Sequence, residues 1–253
     1  MSLSSLRLQL PNVTSSLSFL KDDPLYDEEK PYYCAGSLKP EEEVYRTNLN
    51  YCSTTVSFHD LRGFQSQLDI ERNGFAFIDF PSKIIFDGND NESVRDYMIE
   101  TMTLLKNKLA AEQCYCYSYR FRRSKQPSMT PDIPTGTRGC PDEAANNPHV
   151  VYIEYSSQNI PELTFHGVWR PLYGKVEDDP LAICDCFTID PDKDLVAADR
   201  ISPGQEYVGE IYYVKHNEQQ KWYYLSSQTP EELLAFVSFD SERDFGPACK
   251  LGA

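Results

Sequence analysis

The sequence predicts a mainly β protein, a sandwich or barrel of short strands with few helices. Three observations carry that prediction. Short apolar or alternating segments recur along the chain between Gly, Pro, Asn and Asp turn signals. Only one stretch keeps the 3.6-residue period of an amphipathic helix over several turns. The 253 residues, 40% hydrophobic and 13% aromatic, are enough to enclose a sizeable core in one β-rich domain.

Residues 1–48 are rich in Ser, Pro and Glu without sustained periodicity, and read as an extended arm with short turns lying over a domain of residues 49–253. Residues 53–60 and 67–80 read as strands, the second broken at Asn73-Gly74, a favoured hairpin pair. Arg62-Gly63 between them reads as a turn. Across residues 91–113, Val94, Tyr97, Met98, Thr101, Leu104, Leu105 and Leu109 follow the spacing of a half-buried helix packed on a sheet, with Asn91 or Ser93 as its cap. Residues 114–123 alternate strictly, Tyr115, Tyr117, Tyr119 and Phe121 against Cys114, Cys116, Ser118, Arg120 and Arg122, the pattern of a half-buried strand. Residues 126–147, dense in Pro and Gly, read as a long loop over a cavity mouth. Further strands are expected at 149–155, 181–188, 206–215, 221–225 and 235–239. Thr229-Pro230 has the form of a helix start.

The balance of 24 Lys and Arg against 39 Asp and Glu, a net charge of -15, repels phosphates and anionic lipid surfaces. It excludes nucleic acid and membrane as partners and favours a small molecule or another protein, a homodimer being compatible. The N-terminus lacks an uninterrupted apolar run and a small-residue cleavage site, and no window approaches a membrane span, which points to the cytoplasm. The eight cysteines fit that compartment as thiols. Cys114/Cys116 and Cys184/Cys186 lack the spacing of zinc knuckles, so core or surface thiols are the plainer reading.

Residues 165–195 hold a Trp169-Arg170-Pro171-Leu172 turn, an acidic loop, an apolar Pro-Leu-Ala-Ile-Cys-Asp strand and an Asp-Leu pair. With Asn147-Pro148-His149 upstream, and Gly209-Glu210, Lys221-Trp222-Tyr223-Tyr224 and Phe239-Asp240-Ser241 downstream, this order resembles the fungal hydroxylase/desaturase family. That family includes the gibberellin desaturases and the small chain of cephem methoxylase, and its active members are iron(II)/2-oxoglutarate oxygenases. The resemblance spans residue 49 to the C-terminus, includes a match of Arg62-Gly63 to a family Asp-Arg-Gly element, and narrows the fold to a double-stranded β-helix, or jelly roll, with flanking helices.

Oxygenases of this fold hold iron with two histidines and one carboxylate on one face. The first two ligands stand as His-x-Asp because residues i and i+2 of a strand point the same way. The matching residues here are His149-Val150-Val151, with valine in place of the carboxylate. Aligning residues 250–253 with the family's Pro-His-Thr-Ala puts Leu251 at the second histidine, and the downstream arginine expected to hold 2-oxoglutarate has no counterpart. No substitute set offers itself. His216 sits in a polar turn, His59 and Asp60 point to opposite faces, His166 has no carboxylate at i+2, and Glu154 faces away from His149. Neither a metal nor another cofactor is expected.

The resemblance then implies a repurposed pocket. By alternation His149, Val151, Ile153 and Tyr155 line it, made more apolar by Val151 and Leu251, with Trp169, Trp222, Tyr119 and Phe121 as candidate walls. Arg170 is the candidate cation for a carbonyl or enolate, against a structural pairing with Asp185 or a neighbouring carboxylate. His149 is a candidate acid or base, against a leftover ligand that packs. The function expected is a cofactor-free cyclase, isomerase or pericyclase acting on a small natural-product intermediate. A non-catalytic binding or partner subunit is the alternative, and an oxygenase with unusual ligands comes after it.

Overall fold

The computed structural model describes residues 10–34, 38–123, 142–143, 147–152, 164–201, 208–240 and 250–252. The chain is mainly β, two sheets packed face to face with one long helix outside. The larger sheet is built from β1 (Asn12–Leu20), β2 (Tyr32–Cys34), β3 (Tyr51–Asp60), β7 (His149–Tyr152), β9 (Ala182–Cys184), β10 (Leu195–Ile201), β11 (Val208–Val214), β12 (Trp222–Tyr224) and β14 (Lys250–Gly252). Its order is β1-β3-β12-β9-β14-β7-β11-β10-β2. The smaller sheet runs β4 (Phe75–Asp79), β13 (Glu232–Asp240), β8 (Thr164–Trp169), and β5 (Arg122–Arg123) pairs with β6 (Asp142–Glu143) apart from both.

Strand alternation fixes what each face buries. Ile183 and Tyr223 of the larger sheet, with Leu225 just beyond β12, meet Phe75, Phe77, Leu234 and Phe236 of the smaller one, which is the interior between the sheets. Their neighbours in sequence, Cys184 and Trp222, point the opposite way and join Leu17, Phe19, Val56 and Phe58 in a second cluster. The outer face of the smaller sheet, through Ala76, Leu233, Ala235 and Val237, receives Leu105 and Leu104 of the long helix. Gly167 on β8 pairs with Phe236 on β13, and the ring lies where a side chain at 167 would be: a Cβ there would come within 2.0 Å of it.

Several elements differ from the expectation. Residues 12–20 and 32–34 of the arm are strands in the sheet, because Leu17 and Phe19 alternate with polar residues and bury one face. Asn73-Gly74 ends a helical turn rather than making a hairpin. Helix α2 (Ile70–Asn73), which follows α1 (Leu25–Glu28), is capped by Asp69, whose carboxylate accepts the Glu71 and Arg72 amides, and Gly74 closes it at φ 76°. The long helix, α3 (Asn91–Lys108), is capped by Asp90, one residue before Asn91 and three before Ser93, its carboxylate accepting the Glu92 and Ser93 amides.

The segment 114–121 forms no strand, against the half-buried strand expected, and Tyr115 is 79% exposed. Thr229-Pro230 starts no helix: the Glu232 carboxylate accepts the Thr229 amide and the chain enters β13 directly. Strand β10, preceded by α4 (Pro191–Asp194), was not expected from the pattern, and β9 gives way to a 3-10 turn at Cys186–Thr188. The proposed lid, apart from Asp142, Glu143 and Asn147, lies outside the described residues, as do residues 153–155.

Candidate functional site

The register of the larger sheet builds one cross-strand row. Tyr223 pairs with His59 and with Ile183, Leu251 with Ile183 and with His149, and Tyr213 with His149. Paired residues share a face, and Tyr223 and Ile183 face the smaller sheet, so His59 and His149 stand on that face of the sheet as well. Leu251 therefore stands on the same row as His149 and directly beside it, although about a hundred residues separate them along the chain. Val151, two residues along β7 from His149, pairs with Ile211 on the same face.

His149 is half-buried and its Nδ1 lies 2.7 Å from the Asn147 carbonyl oxygen. A carbonyl can only accept, so Nδ1 carries the proton and the neutral ring presents the Nε2 lone pair. Burial lowers the His149 pKa, the bond to Asn147 opposes that, and the charges of Arg122 and Arg120 add to the lowering. The Tyr213 ring lies 6.4 Å from the His149 ring and 5.9 Å from that of Tyr51. The Tyr51 hydroxyl meets the hydroxyl of Tyr213 and the side chain of Asn147, and burial pushes both phenols up, so both stay protonated. Neither tyrosine was foreseen as a site residue. They reach His149 only through pairing across strands, which no local pattern announces.

Arg170 is not part of this group. It is 9% exposed, donates from an Nη to the Phe80 carbonyl at 2.9 Å, and lies over the rings of Phe80 and Tyr97 at 5.7 and 5.5 Å. Tyr97 belongs to α3, so the guanidinium ties the helix to the end of the smaller sheet. The expected pairing with Asp185 is not formed. Asp185 is buried in its own turn, accepting the Phe187 amide, and burial raises its pKa. Trp222, 1% exposed, is on the far face of the larger sheet against Phe19 and Phe58, and does not line the pocket. Tyr119 is exposed, and Phe121 stacks with it and with Phe86 beside α3, away from the row. Trp169 pairs with Leu234 on the interior face. Tyr155 lies outside the described residues.

A separate open cleft of about 580 Å³ is lined by Arg62, Gln65, Phe77, Asp79, Thr229 and Glu232. Its cation is committed: Arg62 is paired bidentately with Glu232, one arm at 3.1 Å, and donates to the Ser226 carbonyl.

The family model described as an Oxidoreductase/YMDC permease-like domain matches residues 17–250. The Fe(II)/2-oxoglutarate-dependent dioxygenase nvfI of Aspergillus novofumigatus is 28% identical over 237 residues, covering 90% of this chain and 84% of that protein. The chain belongs to the fungal Fe(II)/2-oxoglutarate dioxygenase-like hydroxylase/desaturase family. Within this family the hydroxylase/desaturase CTB9 of Cercospora beticola is 22% identical, covering 92% of this chain and 82% of that one. The gibberellin cluster GA4 desaturase of Gibberella fujikuroi is 33% identical over a shorter stretch, 41% of this chain and 29% of its own. The solved structure of the iron and alpha-ketoglutarate-dependent endoperoxidase NvfI superposes with a TM-score of 0.79 at 26% identity, over 96% of this chain and 89% of that chain.

The iron of the family's active members can be tested against the residues present. Of the three ligand positions that the resemblance assigns, His149 alone offers a lone pair; Val151 and Leu251 are hydrocarbon and can neither donate to a metal nor balance its charge. Among the described residues no three His, Cys, Asp or Glu side chains come together as a metal-binding group. The residues do not fit a two-histidine, one-carboxylate iron centre.

Proposed function

We propose that this chain is a metal-independent enzyme of fungal secondary metabolism, a cyclase, isomerase or pericyclase built on an oxygenase scaffold and acting on a small natural-product intermediate. The observation that carries the proposal is the pairing of Leu251 with His149, with Val151 two residues along the same strand. It puts hydrocarbon residues at two of the three family ligand positions while keeping the strands that carry them paired. Iron oxidation belongs to the metal and not to the protein around it, so a pocket without that donor set works by what remains. What remains is shape, a neutral imidazole and phenol hydroxyls. Holding a flexible substrate in a reactive conformer lowers a barrier by up to ~7 kcal/mol or more, and donors aimed at developing charge act strongly in an apolar site. Trp169, half-buried on the interior face, supplies apolar surface, and His149 and Tyr51 the polar one.

The test has two arms. Protein purified without chelator is expected to contain far less than one equivalent of iron, and added Fe(II) with 2-oxoglutarate is expected to leave its melting temperature unchanged, since a ligand of the folded state must stabilise it. Stoichiometric iron, or succinate formation, would overturn the proposal in favour of an oxygenase with unusual ligands. In the second arm the isolated protein is incubated with reactive polyene or quinone methide precursors of metabolites encoded beside its gene. A single stereoisomer is expected where the spontaneous reaction gives a mixture. A non-catalytic partner subunit is the second reading, favoured by the exposed run of Tyr115, Tyr117 and Tyr119, since large exposed apolar patches mark interaction sites. Conversion only after a second protein is added would establish it.

A further inference from the structure

Beside α3 the chain gathers sulfur that the candidate site does not use. Met98 and Met102 stand four residues apart, so their side chains emerge one turn apart on one face of the helix. At the end of α3 the Ala111 amide donates to the Lys106 carbonyl and Ala110 takes a left-handed φ of 50°, which turns the chain back along the helix. On the return Cys114 packs on the same core cluster as Leu104 and Leu109. Two residues further, Cys116 reaches both methionines: its Sγ lies 3.8 Å from Met98 Sδ, and its amide donates to Met102 Sδ at 3.0 Å. Burial pushes the Cys114 thiol up, the nearby Cys116 thiol adds to that push, and the Lys106 ammonium opposes it. Cys116 is exposed while Met98, Met102 and Cys114 are half-buried, so solvent reaches the group from one side.

Sulfur donors in this number suit a soft ion. Two sulfurs bound to one metal at ~2.3 Å each stand ~3.8–4.0 Å apart at bond angles from tetrahedral to trigonal, and Cys116 and Met98 already have that spacing at 3.8 Å. Thioethers carry no charge and hold hard or borderline cations poorly in water, whereas thiolate together with thioether selects copper(I). Among the described residues no third His, Cys, Asp or Glu joins the two cysteines, so a zinc ion finds no full shell here. We infer that Met98, Met102, Cys114 and Cys116 form a surface site for one copper(I) ion. Cys116 anchors the ion, Met98 and Met102 are its neutral ligands, and Cys114 is the fourth. On binding, the S–H bond of each cysteine breaks, its proton leaves to solvent and a copper–sulfur bond forms. The copper stays monovalent, so no oxidant or reductant enters. Two thiolates and one monovalent cation leave a single negative charge, which the Lys106 ammonium offsets. Met102 spends one sulfur lone pair on the Cys116 amide and keeps the other for the ion. The site lies across the smaller sheet from His149 and takes no part in the proposed catalysis. Its occupation ties residues 114–116 to α3.

The probe is copper(I) itself, supplied without oxygen as its acetonitrile complex to full-length protein and competed with bathocuproine disulfonate, whose copper(I) complex is coloured. One equivalent is expected to resist the chelator and to survive desalting. Met98→Leu with Met102→Leu keeps the packing volume. It is expected to weaken retention by about tenfold or more, since loss of even an outer-shell partner costs a metal site that much. Cys116→Ser, at an exposed position, is expected to abolish retention, and Cys52→Ser, which removes an exposed thiol elsewhere, to leave it unchanged. Silver(I), a redox-inert stand-in, is expected to shift the methyl carbon-13 signals of Met98 and Met102, each assigned by its loss in the leucine variant. X-ray absorption at the copper edge of the unaltered protein is expected to require three or four sulfur neighbours, and two alone would overturn the site even if a variant failed to fold. No retained copper, retention undiminished in the methionine double variant, methionine signals unmoved by silver, or a loss in Cys52→Ser equal to that in Cys116→Ser each overturns it as well, leaving thiols that take copper adventitiously or not at all.

Discussion

The pairing of Leu251 with His149 makes it possible to install the family's ligand set in this chain. In the double variant Val151→Asp, Leu251→His, the new carboxylate stands two residues from His149 on the same face of β7, and the new imidazole is its partner across to β14. Same-face residues two apart on a strand are ~7 Å apart and cross-strand partners ~5 Å apart at Cβ, distances from which His and Asp side chains converge on one ion. Without metal the variant carries an added carboxylate among apolar neighbours, which costs about 1–3 kcal/mol. With anaerobic Fe(II) or Co(II) at a hundred times the dissociation constant, binding to the folded state returns ~2.7 kcal/mol. For a domain of this size each kcal/mol moves the melting temperature by roughly 2–4 °C, so a metal-dependent rise of about 5–10 °C is expected in the double variant and none in the original. Differential scanning calorimetry with metal analysis of the gel-filtered protein reads both. A variant that gains no metal-dependent stability, or an original that gains the same, would refute the register argument and with it the reason given for proposing a metal-independent protein.

Other perturbations follow from single contacts. Gly167→Ala drives a methyl group into the Phe236 ring, and overpacking of a filled core costs about 1–3 kcal/mol; Phe236→Leu added to it should recover part of the loss in urea denaturation, and full stability of the single variant would contradict the packing described. Arg170→Met should lower stability by about 1–3 kcal/mol by leaving the Phe80 carbonyl unpaired, while its folded fraction catalyses normally, and a large rate loss at unchanged melting temperature would return Arg170 to the catalytic group. Arg62→Met removes the ion-pair partner of a Glu232 carboxylate that is 17% exposed, leaving it only the Thr229 and Gln65 amides, with an expected cost of about 2 kcal/mol. Burial raises the Glu232 pKa, but the bonds from Arg62 and from the Thr229 amide outweigh it and the net shift is downward from 4.5. The contribution is therefore complete above pH 4.5 and fades as pH falls through the lower folded value. The melting-temperature gap between the original and Glu232→Gln should close in that range, and a gap that persists well below it would contradict the pairing.

Legibility in the sequence followed locality. The spacing of Val94, Leu104 and Leu105 fixed α3 because a helix is read from residues a turn apart. The apolar Ala182, Ile183 and Cys184 gave β9 for the same reason. Asn73-Gly74 misled because a left-handed glycine ends helices as readily as it turns hairpins, and the deciding group, the Asp69 cap, lies four residues upstream. The aromatic alternation of residues 114–121 reads as a buried face, yet alternation sets direction and not cover, and the segment forms no strand, with Tyr115, Tyr117 and Tyr119 exposed. At the site, His149, Val151 and Leu251 were legible through their motif. Tyr51 and Tyr213 were not, because their meeting depends on β1 and β3 lying against β11, a matter of topology. Arg170 was misplaced for a related reason, since the motif gave its neighbours in sequence but not the arrival of Tyr97 over its guanidinium.

Both margins of the nine-stranded sheet come from the first 34 residues, β1 at one end and β2 at the other, with β2 pinned by Lys30 to Asp199 and Glu210. A nascent chain can lay β1 on β3 soon after both leave the ribosome, but β2 has no strand to join until β10, more than 160 residues later, has been made. During that interval the far margin cannot be finished, and open margins recruit other chains. Synthesis of this protein is thus expected to depend on chaperone cover through its middle third, and its yield to fall when that third is translated faster.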